Sequence, residues 1–146
     1  IEPNTVMLEM ILSTFKRQNI PVNLHIVEKI LFESKKENLL ATMTYDTENR
    51  PLACNFCLID ASKATYSLGG YSSEHKHEGA GALALWRSIQ LAKKREVAIF
   101  DFEGSMIPQI EKYFRGFGGE LVPFYRVTKS SYLVEVLLKT KERTRF

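Results

Sequence analysis

Apolar residues recur at helical spacing in the first third of the chain. Between Thr5 and about Arg17 they fall at Met7, Met10, Ile11 and Phe15, one face of an amphipathic helix. Ile20-Pro21 interrupts the run, because a residue before proline is biased away from helical dihedrals. Asn23 is a capping residue type, and Val27, Ile30 and Leu31 share a side beyond it, which predicts a second helix to about Lys36. The spacing then shortens. Leu39–Tyr45, Leu52–Ile59 and Ala64–Leu68 are apolar runs separated by polar turns, the signature of an antiparallel three-stranded meander. Gly69-Gly70 reads as the end of the third strand.

A polar loop, Tyr71 to Glu78, leads into Gly79-Ala80-Gly81 and a helix over about Ala82–Lys94. Ala82, Leu85, Trp86 and Ile89 form its apolar face, and Lys93, Lys94 and Arg95 suit its C-terminal end. Val97–Phe102 is mostly apolar and reads as a strand buried on both faces. Ser105 and Pro108 open a further helix, with Ile107, Ile110 and Phe114 as its stripe and the glycines at 116–119 as its stop. Glu120–Val127 and Tyr132–Leu138 predict a closing hairpin, and the basic tail 139–146 is expected to fray. The order ααβββ–αβα–ββ describes an α+β (mixed α/β) fold: a mixed sheet with helices on both faces, one domain over residues 1–138.

Composition narrows the classes. At 146 residues, 45% hydrophobic and 25% charged, the chain suits one globular domain. A net charge of +3 is below that of a dedicated nucleic-acid binder. No apolar run reaches the ~20 residues that span a bilayer. Cys54 and Cys57 are three apart on a strand, so they face opposite ways and read as buried inert thiols, in a reducing, cytoplasmic setting. The first residue is Ile1, so the chain is expected to be a piece of a longer protein.

Several groups could carry chemistry. Lys76-His77-Glu78-Gly79-Ala80-Gly81 follows a strand and opens a helix, where small residues let backbone N–H groups approach a diphosphate. A plain connection with small residues for packing is the alternative. Asp101 and Glu103, two apart at the end of a strand, point to one face and could hold or deprotonate an amine. Alternatively Asp101 ties down neighbouring backbone and Glu103 is solvated. Arg115 leaves a helix beside glycines, where its guanidinium could fork onto phosphate or form a surface ion pair. Tyr71, Tyr125 and Tyr132 are possible acids or packing residues. His75, His77 and Glu78 lack a further ligand nearby, so no metal site is expected.

The order of elements and the glycine turn resemble the GNAT acyltransferase fold. That family places a Gln/Arg-x-x-Gly-x-Gly/Ala turn between its fourth strand and third helix, and its backbone amides hold the pyrophosphate of acyl-coenzyme A. Lys76 stands where that family has Gln or Arg. Residues 66–127 resemble Fem-type (FemAB-like, methicillin-resistance-related) aminoacyltransferases. The resemblance lies in Tyr66-Ser67-Leu68-Gly69-Gly70, Ala82-Leu83-Ala84-Leu85-Trp86, Ile99 to Gly104 and Phe114 to Gly119. It implies the C-terminal half of a tandem protein, an N-terminal GNAT-like domain outside this chain, aminoacyl-tRNA as co-substrate and a role in peptidoglycan synthesis. It also puts Arg115 where the family has a lysine facing the charged donor.

Aminolysis of an ester or thioester needs a proton acceptor for the amine and positive charge for the donor's phosphates. Asp101, Glu103 and Tyr71 are the expected catalytic residues. Lys76, Gly79, Ala80, Gly81 and Arg115 are the expected binding residues. The expected function is acyl or aminoacyl transfer to an amine acceptor. The alternatives are an acetyl-coenzyme A-dependent N-acetyltransferase, a non-catalytic docking half, and a module that contacts charged tRNA.

Overall fold

The computed structural model describes residues 1–75, 77–104, 108–123 and 125. Its elements are α1 (Thr5–Arg17), α2 (Leu24–Glu33), a short 3-10 turn (Lys36–Asn38), β1 (Leu39–Tyr45), β2 (Pro51–Asp60), β3 (Lys63–Tyr71), α3 (Ala80–Lys94), β4 (Ile99–Asp101) and α4 (Pro108–Arg115). The mixed α+β architecture with helices on both faces is present. The sheet runs β1-β2-β3-β4, antiparallel through β3 and parallel between β3 and β4.

Strand alternation sorts the core into two layers. On one face Leu39, Ala41, Cys54 and Phe56 pack against Met7, Met10 and Ile11 of α1 and Val27 and Leu31 of α2. On the other, Leu40, Cys57 and Ala64 pack with Ala92 of α3. Each large apolar side chain so buried contributes roughly 1.5–3 kcal/mol. Cys54 and Cys57 therefore lie on opposite faces, as their spacing requires, and burial pushes both thiols up to about 12. Polar residues pin β1 to α3: the Thr42 hydroxyl donates to Ala84 O at 3.0 Å and lies 2.9 Å from the Ser88 hydroxyl. The Thr44 hydroxyl reaches Ala80 O at 3.3 Å, holding the first residue of α3.

Helix α1 is capped by Asn4, whose Oδ1 accepts from Met7 N at 3.0 Å. Asn23 stands at the cap position of α2 but makes no side-chain cap bond. That helix ends at Glu33 rather than near Lys36, because Ser34 is extended and its hydroxyl donates to Ile30 O at 2.6 Å. The third strand does not stop at Gly69-Gly70; it runs through them to Tyr71. These glycines serve close approach. A Cβ on Gly70 would come within 2.7 Å of backbone atoms of Met10 and Ile11, so α1 crosses the strand almost in contact there. The fourth strand is shorter than expected and is not buried on both faces: it is the edge of the described sheet, with Ile99 56% exposed. Residues 120–123 and Tyr125 have no regular secondary structure, where a strand was expected. The rest of the expected hairpin, Tyr132, the basic tail, Ser105 and Ile107 lie outside the described residues. Among the described residues no helix is long and apolar enough to cross a membrane.

Candidate functional site

Strands β3 and β4 run together only briefly. Lys63, Ala64 and Thr65 pair with Ile99, Phe100 and Asp101, and β3 then continues to Tyr71 without β4 beside it. At the point of parting β3 carries a bulge: Phe56 pairs with Leu68 and Cys57 with Tyr66, leaving Ser67 as the extra residue. Beyond it the β4-side edge of β3 offers backbone groups that β4 does not pair. Aromatic rings border this gap. Phe114 of α4 meets Tyr66 edge-on at 5.9 Å and stacks on Phe102 at 5.1 Å, and Tyr113 meets Phe117 at 5.3 Å.

Tyr71 ends the parted strand and is held from several sides. Its N–H donates to the Thr14 hydroxyl at 3.1 Å, and its carbonyl accepts from Arg17 Nη2 at 3.2 Å, so the last turn of α1 grips its backbone. Its phenol lies so close to Gly81 that any Cβ there would fall on it. The same phenol neighbours Tyr113 of α4. Burial is the main cause that raises the Tyr113 phenol above its ordinary range, and the Tyr71 hydroxyl adds to it. Burial raises Tyr66 likewise.

The glycine turn opens α3 next to this residue. Gly79 is the N-cap at φ +85°, a left-handed conformation that favours glycine, and open space lies where its Cβ would be. No side chain caps the helix and no acid sits in its first turn, so no carboxylate of that turn opposes the positive end of its dipole, while Ala80 N–H donates to His77 O at 3.2 Å and Ala80 and Gly81 are buried. Between the loop and α1 lies a cleft of about 430 Å³, lined by Arg17, Tyr71, His75, His77 and Glu78 among others. Lys76 lies outside the described residues.

A bulged strand that parts from its parallel neighbour thus leads, through the glycine turn, into the start of α3. The family profile of the acetyltransferase (GNAT) domain matches residues 7–115. The chain belongs to this family. The GNAT domain also resembles solved structures in fold. One is the ribosomal-protein-S18-alanine N-acetyltransferase from Escherichia coli, at TM-score 0.60 and 17% identity, with 81% of this chain and 74% of that one covered. Another is a GNAT family acetyltransferase from Staphylococcus aureus, at TM-score 0.54 and 14% identity, with 88% and 94% covered. A third is an aminoglycoside acetyltransferase from an uncultured soil metagenomic sample, at TM-score 0.53 and 12% identity, with 89% and 95% covered. No curated protein sequence matches the chain. A Fem-type relationship is not shown by these matches.

The GNAT domain brings together some of the expected site residues. Tyr71, Gly79, Ala80 and Gly81 converge at the start of α3. Asp101 and Glu103 do not share a strand face, because β4 ends at Asp101 and Glu103 turns left-handed at φ +58°. The Asp101 carboxylate is engaged locally. Oδ1 accepts from Glu103 N at 2.8 Å and Oδ2 from Lys63 Nζ at 3.0 Å, and these contacts hold its carboxyl below the ordinary carboxylate range. Arg115 does not line the cleft; its Nε is 2.6 Å from Glu111 Oε1, one helical turn back. Among the described residues no cluster of His, Cys, Asp and Glu is placed to hold a metal. Sequence reasoning missed Thr14, Arg17 and Tyr113. Tyr113 had a signal, standing beside the quoted Phe114-Arg115 run. Thr14 and Arg17 had none, since nothing local says that the end of α1 meets the end of β3.

Proposed function

We propose that this GNAT domain transfers an acyl group from acyl-coenzyme A to an amine acceptor. The observation that supports it most is the juxtaposition of the parted β3 edge with the uncapped start of α3. The donor's diphosphate needs a positive field and close backbone approach, and the start of α3 at Gly79 suits both, with open space beside Gly79 and no opposing acid in the first helical turn. The donor's amide arm needs backbone partners, and the β3 edge beyond Thr65 is not paired by β4. The same edge has N–H groups that suit the oxyanion of an attacked carbonyl. When bound, the thioester supplies the activated acyl carbonyl. The phenol of Tyr113 neighbours that of Tyr71 and is the proposed proton donor to the leaving thiolate. Tyr71, which lines the cleft, neighbours that phenol and is proposed to orient it. Glu103, exposed at the end of β4, is the better proton acceptor of the two acids, because Asp101 is already committed to Lys63 and to backbone. Lys76 is proposed to flank the diphosphate; Arg115, paired with Glu111, is assigned no donor contact.

Calorimetric titration with acetyl-coenzyme A tests this reading. Binding is expected at micromolar strength, and Gly79→Asp, which puts a carboxylate at the helix start, should weaken it by about tenfold or more, ~1.4 kcal/mol. Acetyl-pantetheine lacks the phosphates, so its weaker binding should be indifferent to that substitution. Absence of acetyl-coenzyme A binding would sink the proposal. The Fem-type reading, with an aminoacyl-tRNA donor and a companion N-terminal domain, rests on the resemblance over residues 66–127. Binding of charged tRNA without binding of coenzyme A would favour it.

A further inference from the structure

We infer that Arg17 recognises the 3′-phosphate of the donor, a contact separate from the diphosphate site at the start of α3; this rests on the acyl-coenzyme A reading above. Coenzyme A carries phosphate in two places: the diphosphate, and a monoester on the ribose of its adenosine end. The glycine turn accounts for the first. The cleft of about 430 Å³ beside that turn has no assigned occupant, and it is large enough for a phosphorylated ribose. Its lining includes His77 and Glu78, the residues just before Gly79, so it adjoins the diphosphate position.

Arg17 is prepared for an anion there. The other described arginines are occupied differently. Arg50 pairs with Asp46 and Glu48, Arg115 with Glu111, Arg95 bonds backbone carbonyls and Arg87 bonds Gln90. Among the described residues no carboxylate lies within ion-pair distance of Arg17. Its Nη2 is anchored on the Thr14 hydroxyl at 2.9 Å and on Tyr71 O at 3.2 Å. These contacts fix the plane of the guanidinium and leave donors of its fork to reach into the cleft. His75 and His77 add nitrogen donors, and Glu78 is the acid in the same lining. A phosphate monoester, with two charges and three acceptor oxygens, suits a fixed guanidinium better than a neutral ligand does.

The test compares acetyl-coenzyme A with acetyl-3′-dephospho-coenzyme A by calorimetry, on the whole chain. The wild type should prefer the phosphorylated donor roughly tenfold, as expected for a charge-assisted contact. Arg17→Met should bind both donors alike, and Arg17→Lys, which keeps the charge without the fork, should restore part of the preference. Raising the salt concentration should shrink the wild-type preference. No preference in the wild type, or an unchanged preference in Arg17→Met, overturns the inference while leaving the proposed function standing. Failure of the wild type to bind acetyl-coenzyme A overturns both.

Discussion

Gly81 shows how a single position can carry a sign that propensity would get wrong. Alanine normally stabilises a helix over glycine by about 0.8–1 kcal/mol. Here a Cβ would fall on the Tyr71 phenol, so Gly81→Ala should destabilise the protein and displace that ring. Chemical denaturation of Gly81→Ala, Tyr71→Ala and the double variant checks this. The alanine at 81 should be unfavourable beside Tyr71 and favourable without it, and an additive cycle would contradict the contact. The same contact changes the meaning of the second glycine in the glycine turn. The sequence suggests room for a phosphate; the structure uses the room for a tyrosine. Asp101 was legible as one of two alternatives, and the geometry matches the one in which it ties down backbone. The shared face of Asp101 and Glu103 was misread because a left-handed residue ends the alternation on which that reading depends, while Glu103 is exposed as the same alternative had it.

Among the elements, β1 was legible to its bounds and α1 to its length, because both are long runs of one periodicity. β3 was misread because glycine within a strand has two meanings, an end or a close approach, and only a long-range contact decides between them. Gly70 is the clearer case. A side chain there meets the backbone of α1, which cannot swing aside as a flexible side chain does. Gly70→Ala should therefore cost about 1–3 kcal/mol, read as a lower denaturation midpoint at unchanged slope. An effect near zero would mean that α1 shifts freely on the sheet. The length of α2 was overestimated because the charged run after it suits a helix end, while the Ser34 hydroxyl had already closed the last turn. The exposure of Ile99 on β4 followed from its place at the edge of the described sheet, which apolar composition does not reveal.

For the molecule as a whole, fold class came through in the order of elements, and the glycine turn came through as the start of α3, its diphosphate role remaining the proposal. The cleft did not, because it is built by residues distant along the chain: Thr14 and Arg17 on one side, Tyr71 and the loop to Glu78 on the other. Helices α1 and α3 lie on opposite faces of the sheet and share no core layer. Yet both hold Tyr71, α1 through its backbone and α3 through its ring. That single residue is a mechanical link across the sheet. A ligand that stiffens the start of α3 without a phosphate for Arg17, such as acetyl-3′-dephospho-coenzyme A, should still slow amide hydrogen exchange in the last turn of α1. With Arg17→Met the last turn of α1 loses its side-chain grip on Tyr71 O but keeps the Thr14 bond, so the slowing should shrink without vanishing. Exchange at the far end of α1, near its Asn4 cap, should be indifferent to the ligand. The end of β3 would then serve the domain as a place where occupancy on one side is felt as rigidity on the other.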